Sequence, residues 1–462
     1  MTSNGSSNPH SDMETSRFVS GLTSPLVDSI AALKIDNFVP TRDGHPPPGS
    51  VPDSILPEGV EKPALFKTIT LPFAKPESSG RMTFKNRVIV SPMCQYSAKD
   101  GFPTPYHIAH LGSFALHGVG NIMVEASGVT PEGRITPQDL GIWSEAHRDA
   151  HKALVSVLKS FADGLGVGVQ LAHAGRKASD WSPFYRGEKK QAYATREDGG
   201  WPDAVVAPSA IPYNETSITP RALTTEEVKQ LEDKFVQSAR WAFEAGYDYV
   251  ELHGAHGYLM HSFLSPLTNK RTDEYGGSLE NRARFMVNVA RRIRSEFPNK
   301  GLWVRVSSTD WADQAGQGDS WTVDQTVQLS KWLHEAKVDL IDVSSGGLVP
   351  FQKITVGAGY QLFGAKAVRD ALIQIEPEES KRMLVGAVGM MEGSKDSPNG
   401  QDRSQVGRLA EESIQKGDCD AILLARGLMS YPSWTEDASV ALTGTRAAGN
   451  PQYHRVHPAK KA

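Results

Sequence analysis

The feature that most constrains this chain is a recurring texture. Short apolar runs alternate with amphipathic stretches eight times. The runs are RVIVSPM (87–93), NIMVEASG (121–128), VGVQLAH (167–173), DYVELHG (248–254), LWVRVSS (302–308), DLIDVSSG (339–346), MLVGAVG (383–389) and AILLARG (421–427). Near-continuous apolar runs of this length are what parallel strands covered on both faces require. The intervening segments carry helix signals. In 224–246, Thr224 is an N-cap, Glu226 and Glu227 fall in the first turn, and Gly246 ends the pattern. A second helix is expected over 281–297. Eight strand–helix repeats predict an α/β fold, a (β/α)8 TIM barrel. A doubly wound sheet is the rival topology, but no G-x-G-x-x-G fingerprint follows any strand.

Outside the repeats, TITLPF, a PESSG turn and RMTFKNR read as an N-terminal hairpin. Residues 1–60 are rich in Ser, Pro, Gly and Asp and read as a flexible extension, with a weakly amphipathic patch near 25–36. The barrel is expected over 61–456 and a tail over 457–462. Two inserts stand out: 180–204, aromatic and charged, after the third strand, and 392–404, polar and loop-like.

Composition narrows the class. A net charge of −4 over 462 residues, without a basic run, argues against nucleic acid or an anionic membrane as the main partner. No apolar run approaches the roughly 18 residues of a membrane span, and the N-terminus has no leader pattern. Two cysteines, Cys94 and Cys419, suit a reduced cytoplasmic protein and cannot supply a four-cysteine iron–sulfur cluster. A disulfide between them is excluded, because they fall at opposite ends of the barrel.

Active sites of such barrels are built at the C-terminal ends of the strands. Those positions hold Cys94 and Tyr96, then Ala126, Gln170 and His173, followed by His253, His256 and Tyr258. Arg305, Gly389, Ala425 and Arg426 complete the ring. An inward arginine needs an anion or an electron-rich ring beside it; a structural ion pair with Asp310 or Asp342 is the bland reading. The small residues of GAVGM and ARG suit a phosphate cradle. Together they suggest a mononucleotide, FMN being the natural candidate. The segment HGAHGYLMH places His253, His256 and His261 within nine residues. This spacing permits a metal site if a third ligand converges, or a pair of imidazole donors.

The segments SPMCQYSA, VEASGVTPEGRITPQDLGIW, QLAHAGRKAS, ELHGAHGYLMHSFLSPLTNKRTDEYGGSLENRARF, VRVSSTDW, DLIDVSSGGL, GAVGM and LLARGLMSYP resemble the Old Yellow Enzyme family of flavin-dependent ene-reductases. The cysteine of SPMCQYS resembles its thermophilic-like subclass. The resemblance implies an FMN-binding barrel, NADPH as co-substrate and an α,β-unsaturated carbonyl substrate. It implies that Ser91, Pro92, Met93, Cys94 and Ala126 line the flavin, with Gln170 and Arg305 on its polar edge. Gly389, Ala425 and Arg426 would hold the phosphate, Ala425 standing where glycine is common. Cys94 would tune the flavin as thiol or thiolate. His253 and His256 would bind the carbonyl oxygen, Tyr258 would supply a proton, and Tyr96 would contact substrate. His261 becomes structural, and Arg271 and Asp273 become candidates for holding the histidine loop. Arg455 would reach a neighbouring subunit's site, although Val456 replaces the usual glycine. A homodimer or homotetramer is expected. The alternative from another class is a metal-dependent barrel hydrolase or lyase using the same histidines.

Overall fold

The computed structural model describes residues 45–75, 82–185, 188, 191–313, 316, 318–392, 403–453 and 455. Its centre is a closed barrel of eight parallel strands. They are β1 (Val88–Val90), β2 (Asn121–Gly128), β3 (Gly166–Ala172), β4 (Tyr249–Gly254), β5 (Gly301–Ser307), β6 (Leu340–Ser344), β7 (Leu384–Ala387) and β8 (Ala421–Leu424). Each is hydrogen-bonded to the next in chain order, and β8 closes on β1. The helices that follow them are α1 (Pro105–Leu116), α2 (Glu145–Phe161), α3 (Thr225–Glu244), α4 (Leu279–Glu296), α5 (Val323–Glu335), α6 (Leu362–Ile375), α7 (Arg408–Gln415) and α8 (Trp434–Thr443). The predicted barrel is therefore the observed one. No described helix is long and apolar enough to cross a membrane.

The strands are mainly apolar because both faces are covered: every residue of all eight is buried. Inward side chains fill the base of the barrel. Ile89, Met123, Tyr249, Trp303, Leu340, Leu384 and Leu423 form one cluster there, and Ile69, Leu71, Ala74 and Phe84 seal it. Tyr249 stacks on Trp303 at 3.9 Å between ring centres. The sealing residues belong to the expected hairpin, in which Ile69 pairs with Phe84 and Thr70 with Thr83. The hairpin and the 3-10 turn before it (Ala64–Phe66) are also tied to the barrel by hydrogen bonds to carboxylates. Asp339 accepts the Phe73 and Ala74 N–H groups at 2.8 and 2.9 Å, and Glu411 accepts those of Ala64 and Leu65 at 2.8 Å each.

The helix signals hold at the atomic level. Thr224 and Glu227 form a reciprocal capping box at the start of α3, which satisfies two N–H groups that a helix start otherwise leaves open. The N-terminal boundary differs from the compositional reading. Within 45–60, Val51 is buried and the Gly49 N–H donates to Ala448 O at 2.7 Å, so this stretch belongs to the folded body. The patch at 25–36, residues 393–402 of the second insert and the tail at 457–462 lie outside the described residues. Cys94 and Cys419 are both free thiols.

Candidate active site

At the mouth of β4 the chain makes a tight turn that aims three rings into one space. His253 is the penultimate residue of β4. His256 has φ +60° and Gly257 φ +78°. A Cβ on Gly257 would sit 2.4 Å from Gly347 O, so both the conformation and the close approach demand glycine here. The His256 N–H donates to Ser307 Oγ at 3.0 Å, and that hydroxyl donates to Gly346 O at 2.8 Å. The His253 ring centre lies 5.3 Å from that of His256 and 4.9 Å from that of Tyr258. Nε2 of His256 is 2.8 Å from Ser344 Oγ. Nδ1 of His253 is buried with no protein partner.

The third histidine of the segment points elsewhere. Nδ1 of His261 accepts the Gly257 N–H at 2.9 Å, and its Nε2 lies 3.0 Å from Asp310 Oδ1. His261 is thus a brace beneath the turn, as expected. Among the described residues no three His, Cys, Asp or Glu side chains converge as a metal site would need.

Burial sets the protonation states. It lowers both imidazoles well below their ordinary range; at His253 the neighbouring His256 and then Arg305 add to it, and at His256 Arg305 and then Lys177 do so. Both rings are therefore neutral near pH 7, each with one N–H to give. Burial, followed by Cys94 and Tyr96, raises the Tyr258 phenol well above its usual value, so it stays protonated. Cys94 is pushed up by burial, then by Asp139 and Glu125. Of the two forms expected for it, the surroundings select the thiol.

Below the rings lies a buried charged band across β3–β6. Strand register sets Gln170 beside Glu251, and Arg305 beside both His253 and Asp342. Arg305 Nε donates to Asp342, and Nη2 donates to Ser91 Oγ at 2.6 Å. Gln170 Nε2 donates to Glu251 Oε1 at 2.8 Å. Of the two bland partners considered for Arg305, Asp342 is the real one; Asp310 serves His261 instead. Burial raises Glu251 to about 8, with Arg305 opposing the rise. Glu251 and the similarly raised Glu125 were not singled out from the sequence. The signal was there: each is a lone acid inside an otherwise apolar strand.

At β7 and β8 the backbone is bare. Gly389 has φ +111°, and a Cβ there would meet Gln361 Nε2 at 2.4 Å. Ala425 (φ −117°, ψ −101°) opens the short helix Arg426–Ser430, and Arg426 is exposed at the rim. Ala126 is buried, while Pro92, Met93 and Cys94 are half-buried beyond β1.

The profile of the NADH:flavin oxidoreductase / NADH oxidase family matches residues 73–443. The NADH:flavin oxidoreductase of Gibberella zeae is 40% identical over 416 residues, covering 88% of this chain and 90% of that protein. The NADPH dehydrogenase of Bacillus subtilis is 41% identical over 376 residues, covering 81% and 96%. The chain belongs to this flavin oxidoreductase family, that of the Old Yellow Enzymes. Solved structures agree on the fold. Morphinone reductase superposes with a TM-score of 0.60 at 23% identity over 85% of this chain and 93% of its own. A 2-naphthoyl-CoA reductase gives 0.66 at 22% over 84% and 53%.

The site of this flavin oxidoreductase fits FMN by its donor set. A guanidinium, a carboxamide and a hydroxyl (Arg305, Gln170, Ser91) gather in the buried band at the strand ends. Bare backbone and a rim cation (Gly389, Ala425, Arg426) lie at the β7–β8 edge. Tyr96, with φ +52°, reaches the mouth and meets Phe184 of the 180–204 insert edge-on at 6.1 Å. One expectation is relocated. Arg271 and Asp273 pair with one another; Arg271 also donates to Pro208 O and Leu223 O and lies 5.9 Å from the Phe263 ring centre, and Asp273 accepts from Thr225 Oγ1 and the Tyr275 N–H. They fasten the part of the β4–α4 connection beyond the histidine turn to the start of α3. Arg455 is exposed just beyond Tyr453, which packs near His117 at the end of α1. That is the base of the barrel, so Arg455 does not serve its own chain's site.

Proposed function

We propose that this flavin oxidoreductase is an NADPH-driven ene-reductase acting on α,β-unsaturated carbonyl compounds. FMN is its cofactor, and bound on this floor it would take hydride from NADPH and pass it to the substrate β-carbon. One observation carries the reading: the His253 ring lies 5.3 Å from that of His256 and 4.9 Å from that of Tyr258, so two imidazoles and a phenol share one mouth. As hydride arrives at the β-carbon, negative charge grows on the carbonyl oxygen. Two preorganised N–H donors from His253 and His256 stabilise that charge, the role an oxyanion hole plays. Tyr258 then delivers a proton to the α-carbon. Ser91, Pro92, Met93, Cys94, Ala126, Gln170 and Arg305 would hold the ring system, and Gly389, Ala425 and Arg426 the phosphate. Tyr96 would contact the substrate. The mild negative charge and the absence of a basic run in the sequence favour small molecules as the working partners, with the cytoplasm as the proposed location.

The test is direct. Purified protein should be yellow and should oxidise NADPH when given 2-cyclohexen-1-one without oxygen. A colourless, metal-bearing preparation would overturn it. In the same assay Tyr258→Phe should slow enone reduction about 100-fold, the lower range for a lost general acid, while NADPH still bleaches the flavin. Unchanged turnover would remove Tyr258 as the proton source.

The homodimer or homotetramer expected for this chain would bring Arg455 to a neighbour's site. Arg455→Ala should then raise KM for the enone without lowering flavin content. If neither activity nor oligomeric state changed, the contact between subunits would be discarded.

A further inference from the structure

Lys177 ends the 3-10 turn Gly175–Lys177 after β3, and nothing in the proposed reaction uses it. Its ammonium donates to His256 O at 2.8 Å and to Gly347 O at 2.6 Å. It therefore grips the histidine turn at the residue held in left-handed backbone and ties it to the β6 loop. The same nitrogen lies 5.5 Å from the Tyr258 ring centre and 4.5 Å from that of Tyr213. Its neighbour Arg176 donates to Leu348 O at 2.6 Å and Pro212 O at 3.1 Å. Lys177 differs because its charge is placed beside both groups that handle charge in the reaction.

We infer that Lys177 is a positioning residue whose positive charge, anchored on the His256 carbonyl, favours proton release by Tyr258. The inference rests on the ene-reductase reading above. Tyr258 meets opposing influences on its other sides: Cys94, Tyr96, Asp139 and Asp180 all disfavour a phenolate. A cation over the ring works against them, since a nearby positive charge favours the anionic form of an acid. It also favours the oxyanion forming at the imidazole pair. No bond to Lys177 forms or breaks: the proton passes from Tyr258 oxygen to the α-carbon, and Tyr258 regains one from solvent.

Three variants of the FMN-loaded enzyme separate charge from grip. Lys177→Arg keeps both, Lys177→Gln keeps N–H donors without charge, and Lys177→Met keeps neither. Each is first checked for flavin content and thermal midpoint. Rapid mixing then measures two steps apart: bleaching by NADPH, and reoxidation by 2-cyclohexen-1-one in H2O and D2O. Lys177→Arg should retain most of the wild-type reoxidation rate. Lys177→Gln should reoxidise about 10- to 100-fold more slowly, a loss of one to two decades in transition-state binding. Its solvent isotope effect should rise and its bleaching rate should not change. A Lys177→Gln variant matching wild type in rate and isotope effect would overturn the inference. So would equal losses in Lys177→Arg and Lys177→Gln, or equal slowing of both steps with an unchanged isotope effect. If Lys177→Met fails to fold, the Arg and Gln pair still decides. A wild-type enzyme inert toward the enone would instead sink the ene-reductase reading itself.

Discussion

His253→Ala/His256→Ala protein should remain yellow and still be bleached by NADPH, yet lose enone reduction by four orders of magnitude or so. Single oxyanion-hole donors are worth about 10²–10³-fold, and two acting on one oxygen need not be additive. The size reflects preorganisation. The His256 ring is fixed through Ser344, and its backbone sits in a left-handed turn that Gly257, Ser307 and Lys177 hold in place. The His253 ring is wedged against both His256 and Tyr258. Neither histidine belongs to the Arg305–Gln170–Ser91 edge assigned to the flavin. Absorbance of the purified variant and single-turnover reoxidation test the two halves separately. Loss of flavin would show that the histidines hold the cofactor instead.

Arg305→Met should be the most damaging single change for the fold. Arg305 neutralises Asp342 directly and lies 3.9 Å from Glu251 Oε1, and none of the three is more than 5% exposed. Removing one partner of such a cluster costs on the order of 3–5 kcal/mol, because the remaining charge is stranded. Both acids already have folded-state values raised by burial. A carboxyl raised in the folded state is neutral at low pH and needs no counter-charge, so the deficit is smallest in acid. It grows as pH rises and these acids must either ionise or hold a proton against solvent. Urea unfolding of the cofactor-free protein in mildly acid and mildly alkaline buffer measures this. A deficit under about 1 kcal/mol, the range of ordinary substitutions, would show that the cluster is not the keystone described. FMN content should fall as well, since Arg305 also orients Ser91.

The barrel was legible because parallel strands covered on both faces must be continuously apolar, a pattern that survives without any tertiary knowledge. The strand ends were less so. The run 421–427 contains a strand only at Ala421–Leu424, and 87–93 only at Val88–Val90. Past each of these strands the backbone turns irregular to build the site, and its apolar residues look the same in sequence. The histidine turn was readable from its motif. Lys177 was not, although its segment was noticed, because its partners are backbone carbonyls 79 and 170 positions away. Side-chain types say nothing about such contacts. Residues 45–60 were misjudged for a related reason: their composition is loop-like, but Gly49 and Val51 dock on remote parts of the chain.

The hairpin at the base has a kinetic meaning. With Ile69, Leu71 and Phe84 corking the barrel and Asp339 pinning the cork, the described residues leave no back door through the strands. In the proposed reaction the dinucleotide and the enone must then share a single entrance, each leaving before the other can enter. Such a layout makes either partner, in excess, an obstacle to the other. Parallel double-reciprocal lines and mutual substrate inhibition would be the signature of a cul-de-sac.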